Sequence, residues 1–120
     1  MGKYVDGFLI PIKSENVERY TEIARKAGEI WKEHGALEYY ECVGDDLDDE
    51  KMVSFKKSAD AGDGETVIFA WIVYESKEER DRINAAVMDD PRLKEDMDNN
   101  KDIFDFKRMA YGGFKTLVEL

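Results

Sequence analysis

A chain of 120 residues with a net charge of −10, from 28 acidic and 18 basic residues, is long enough to bury one core and repels phosphate backbones and anionic lipid surfaces. Its single cysteine, Cys42, excludes an internal disulfide and fits a reducing compartment, so the cytoplasm is the expected location. Nowhere does the chain approach the ~18 successive apolar residues of a membrane span, and Asp6 falls where a signal peptide would be apolar; nucleic acid and membrane are not expected partners.

The first strand is expected from Tyr4 to about Ile10, with Pro11 at its end, where a missing amide donor does least harm. Tyr4, Asp6, Phe8 and Ile10 share one face, while Val5, Gly7 and Leu9 share the other. A carboxylate on an interior strand is costly unless solvated or paired, so Asp6 marks either an opening or a partner such as Arg108. Ser14 then serves as N-cap of a helix reaching about His34, with Glu15 and Glu18 in its first turn. Val17, Tyr20, Ile23, Ala24, Ala27, Ile30, Trp31 and His34 recur at steps of three and four, which makes one apolar stripe for packing on a sheet.

Gly35 suits the position that ends a helix, and Ala36–Val43 reads as the second strand. Glu38, Tyr40 and Cys42 lie on one of its faces, and Leu37, Tyr39, Glu41 and Val43 on the other. From Gly44 to about Glu65 runs one long acidic connection, rich in Asp and Gly, which Met52–Phe55 is expected to anchor. Its aspartates lack the spacing of a calcium loop, so no metal site is expected.

Val67–Tyr74 is a run of eight apolar residues, which places large side chains on both faces of a strand and requires a cover on each. Ser76 and Glu79 form a capping box before a second helix whose inner face holds Ile83, Ala86 and Val87. Asp90-Pro91 ends it and starts a short helix carrying Leu93 and Met97 inward. After a loop at Asp98–Asp102, Lys107 to about Val118 reads as the last strand, with a bulge or bend at Gly112-Gly113.

This order is β-α-β-β-α-β. It predicts an α+β, ferredoxin-like domain spanning 1–120, an antiparallel sheet with strands one and three at its centre and two helices on one face. The other face of Val67–Tyr74 is left open, and a second copy packed sheet against sheet is the simplest cover.

Several segments resemble a known family: Lys26–Tyr39, Val43-Gly44-Asp45-Asp46, Ile68–Tyr74, Val87–Leu93 and Lys107–Phe114. Taken in order they make the chain similar, over nearly its whole length, to the YbaA-like bacterial family of unknown function (DUF1428). The resemblance implies a ferredoxin-like domain that forms a dimeric α/β barrel, in a superfamily that also holds small monooxygenases, muconolactone isomerases and haem-dependent enzymes. It implies no established activity. The chain departs from the family pattern at Lys56–Glu65, which is unusually acidic and rich in glycine.

His34 is the only histidine, a general base or haem ligand on one reading and a helix-end residue satisfied by carbonyls on the other. Glu38 and Tyr40 line a polar pocket beside Cys42, or keep an edge strand from aggregating. Trp31, Trp71, Tyr111 and Phe114 wall a cavity or fill the core. The catalytic candidates are therefore His34 and Glu38, and the ligand-binding candidates Trp31, Trp71, Asp6, Tyr40 and Arg108, with no cofactor. The expected function is the binding or transformation of a small organic molecule between sheet and helices, by a homodimer. The alternatives are a structural or regulatory dimer without catalysis, and a haem-binding or monooxygenase-like protein.

Overall fold

A computed structural model describes residues 2–120. Four strands, β1 (Tyr4–Lys13), β2 (Glu38–Val43), β3 (Glu65–Tyr74) and β4 (Ala110–Lys115), form one antiparallel sheet in the order β2-β3-β1-β4. The helices α1 (Val17–His34), α3 (Lys77–Met88) and α4 (Pro91–Asn99) cover one face of it. The fold is the ferredoxin-like α+β arrangement, with β1 and β3 central as predicted.

The two faces of β3 behave differently. Ile68, Ala70, Ile72 and Tyr74 point at the helices and are buried against Ile10, Ile23, Ala24, Trp31, Ile83 and Val87. Each large apolar side chain so buried contributes roughly 1.5–3 kcal/mol. On the other face Phe69 is 46% exposed, while Trp71 and Val73 are half-buried. Pro11 and Val67, at one end of that outer face, are buried beneath the 44–65 connection, whose one-turn α2 (Phe55–Ser58) sets Phe55 with its ring 5.8 Å from that of Phe69. Phe55 and the buried Ala59 make the anchor, and Met52 and Val53 stay exposed.

Several local expectations are corrected. β1 continues through Pro11 to Lys13. The amide of Ser14 donates to the Gly64 carbonyl at 2.9 Å, so even-numbered amides of β1 face β3, and the nitrogen of Pro11 faces the side where β4 has already stopped opposite Leu9. Ser14 is therefore a ladder residue opening a 3-10 turn, and α1 begins at Val17. β2 starts at Glu38 and not Ala36.

β4 is shorter than predicted and carries no bulge, because its register with β1 runs unbroken through Gly112 and Gly113. These glycines instead make room: a Cβ on Gly113 would collide with Arg80 and Tyr4, and one on Gly7 would meet the Phe114 ring at 3.3 Å. Other expectations hold. Gly35 closes α1 at φ 121°, Ser76 caps α3 by accepting from the Glu79 amide, and Asp90 caps α4 ahead of Pro91.

Candidate functional site

Between α1 and the helix-facing side of edge strand β2 lies a groove of about 1070 Å³, with Ala24 and Gly28 on the helix and Tyr39, Glu41 and Val43 on the strand. Its existence follows from side-chain size. A Cβ at Gly28 would come within 2.7 Å of the Tyr39 ring, so only glycine lets this ring lie flat against α1. Trp31, one turn further on, carries the packing from there, with its ring 6.2 Å from that of Tyr39.

Glu41 is the polar centre of the groove. Tyr20, buried on α1, donates its hydroxyl to Oε1 of Glu41 at 2.7 Å, and Tyr39 donates to Oε2 at 2.6 Å. Burial raises the Glu41 pKa above the ordinary 4.5, opposed by the hydrogen bonds from Tyr39 and Tyr20. Both phenols are pushed upward, first by burial and then by the Glu41 charge, so they remain donors. A carboxylate set this way can accept a proton or a hydrogen bond from a molecule in the groove, or donate one once protonated.

A second buried carboxylate occupies the same side of the sheet nearer β4. Asp6 is 1% exposed, receives the Tyr74 hydroxyl at 2.9 Å on Oδ2, and is paired with the Arg80 guanidinium at 3.0 Å on Oδ1. The Trp31 indole donates to the Tyr74 hydroxyl at 3.2 Å, which extends this network into the core. Burial, then the Asp6 charge, raises the Tyr74 pKa. The partner of Asp6 is thus Arg80, not Arg108. Helix α3 delivers it from above, and Gly113, opposite Asp6, leaves space for it.

The remaining predicted site residues are dispersed. Arg108 clamps Glu65 with two bonds of 2.8 Å and also holds Asp105, tying the long connection to the approach of β4. His34 ends α1 with Nε2 3.1 Å from Asp90, whose pKa is lowered by hydrogen bonds first from Arg92 and then from His34. Trp71 lies on the outer face, stacked on Tyr40 with centroids 5.0 Å apart at 12°, so His34 and Trp71 do not share a cavity. Glu38 and Tyr40 border the groove.

Residue pattern alone did not single out Glu41, Tyr20 or Tyr39. The usable signal was an acidic residue on the core face of β2, the same anomaly that marks Asp6 in β1.

Known proteins place the chain firmly. A family model described as "Protein of unknown function (DUF1428)" matches residues 3–106. The chain belongs to this family. It is 43% identical over 117 residues to the uncharacterised protein YbaA of Escherichia coli K12, covering 98% of both chains. Among solved structures, the fold is similar to that of SnoaB, a cofactor-independent oxygenase from Streptomyces nogalater, with a TM-score of 0.65 and 11% identity over 100% of this chain and 98% of that one. It is also similar to a dimeric ferredoxin-like protein from an uncultured marine organism, with a TM-score of 0.59 and 13% identity, covering 100% and 92%. At these identities the likeness is one of fold. Among the described residues, no helix is long and apolar enough to cross a membrane.

Proposed function

We propose that this DUF1428 member binds a small organic molecule in the groove between α1 and β2, and that Glu41 is the group that exchanges a hydrogen bond or proton with it. The observation that carries this reading is a half-buried carboxylate gripped by two tyrosine hydroxyls on the floor of a groove with mostly apolar walls. The volume suits a molecule of several fused or linked rings. A neighbouring fold that serves a cofactor-independent oxygenase supports small-molecule chemistry on this architecture.

The protein acts as a homodimer in this reading. Tyr40, at 50% exposure, Phe69 and Phe114 stand with Trp71 and Val73 on a sheet face that no helix of the chain spans, and a dimeric ferredoxin-like neighbour offers the precedent. The exposed free thiol of Cys42 supports a reducing, cytoplasmic setting.

Amide chemical-shift mapping with a fragment library tests the site. Perturbations should gather at Ala24, Gly28, Tyr39 and Glu41; perturbations gathered around His34 or Trp71, or none, would overturn it. Light scattering tests the assembly. A dimer is expected, Phe69→Glu should yield monomers, and a wild-type monomer at micromolar concentration would defeat the proposal.

A further inference from the structure

The carboxylates that the fold withdraws from solvent are matched with cations, with one omission. Asp6, Glu65, Asp90 and Asp96 each have an arginine or lysine nitrogen within 4.0 Å. Glu41 has two neutral hydroxyls and no cation. The cations that line its groove are engaged elsewhere. Arg25 bonds Glu22 at 3.1 Å, and the Lys32 ammonium donates to the Leu37 carbonyl at 2.7 Å. Glu29 and Glu38 add negative charge to the same lining, and the net charge of −10 raises the local concentration of cations.

Resting on the groove being the binding site, we propose that its ligand carries a cationic nitrogen on an apolar body, with the nitrogen seated against Glu41. A protonated amine supplies the missing counter-charge and donates to carboxylate lone pairs that the tyrosines leave free. Ala24, Val43 and Ile68 receive the apolar body. An anionic ligand would instead meet the charges of Glu41, Glu29 and Glu38, with Arg25 paired to Glu22 and Lys32 bonded to the Leu37 carbonyl.

Three probes that share a phenethyl body and differ in charge decide the matter: phenethylamine, 2-phenylethanol and 3-phenylpropionate, titrated against the intact protein and followed by amide shifts at Tyr39 and Glu41. The amine should bind roughly tenfold or more tightly than the alcohol, and the acid least. Its affinity should rise as pH increases through the Glu41 titration, because the carboxylate must be ionised; the other titratable groups lining the groove are Tyr20, Arg25, Glu29, Lys32 and Glu33 from α1 and Glu38, Tyr39, Tyr40 and Cys42 from β2. Glu41→Gln should abolish the preference for the amine over the alcohol. The wild-type pH series carries the same information without a variant. Equal or weaker binding of the amine, with the alcohol or the acid still in the groove, would overturn the charge assignment and spare the site; no binding by any of the three would overturn both.

Discussion

Asp6 and Glu41 both sit on the helix-facing side of the sheet, and both accept a tyrosine hydroxyl, yet they do opposite things. Asp6 is sealed beneath α3 with Arg80 against it. Glu41 stands at a groove with no cation near it. The first is a closed ion pair whose geometry fixes how α3 docks on β1. The second keeps unspent hydrogen-bonding capacity and a raised pKa where a small molecule can reach it. Charge compensation, rather than burial or tyrosine contact, separates the carboxylate that builds the fold from the one available for function.

The largest effect should come from Asp6→Ala, which leaves the Arg80 guanidinium with only the exposed Asp81 as an ionic partner and the Tyr74 hydroxyl without its acceptor, and costs about 3 kcal/mol by urea unfolding. A loss under about 1 kcal/mol would break the comparison from its structural side. Gly28→Ala follows. Alanine in a helix interior gains about 1 kcal/mol over glycine, but overpacking against Tyr39 costs about 1–3 kcal/mol, so the variant should be no more stable than wild type and should lose ligand-induced shifts at Glu41. A clear gain in stability with binding intact would mean that Tyr39 does not need its present position.

Glu41→Gln should change stability by less than about 1 kcal/mol, since the amide oxygen still accepts from one of the two tyrosines and the amide nitrogen can donate to the other hydroxyl, while a disfavoured charge is removed. A cost near that of Asp6→Ala would class Glu41 with the structural carboxylates.

The smallest effect is a pair of opposite pH slopes. With its folded pKa raised, Glu41 contributes stability that is complete below the unfolded value of 4.5 and is lost as pH rises through the folded value. Glu65, lowered to about 2 by Arg108 and the Gly62 amide, contributes stability that is present above 4.5 and is lost as pH falls towards 2. Urea midpoints between about pH 2 and 8 should show Glu41→Gln flattening the first slope and Glu65→Gln the second. Exchange of the two outcomes would contradict the assignment of both groups.

Much of the fold was legible because it rests on periodicity. The two-sided apolar run at Val67–Tyr74, the stripe from Val17 to Trp31, and the stops at Gly35 and Asp90-Pro91 are local signals, and each lies where the pattern put it. What failed depends on neighbours distant in sequence. The glycine at 113 answers to Arg80 on α3 and Tyr4 on β1 and not to a bulge, and the ladder beyond Pro11 depends on where β4 ends.

The site was read less well for the same reason. Asp6 was conspicuous as a charge in a central strand, but its partner came from α3, 74 residues away. Glu41 alternates with Tyr39 and Val43 on an edge strand, where either face can carry charge, so parity alone left Glu38 and Tyr40 equally eligible. Only the placement of α1, with glycine at 28 and Tyr20 above the strand, shows which face holds the groove.

The account rests on Glu41 being an uncompensated carboxylate open to a ligand, and a carbon-13 titration of its carboxyl group reads that directly. The midpoint in the free protein should lie above 4.5 and should fall when phenethylamine is added. A midpoint at or below 4.5, unmoved by the amine, would contradict it.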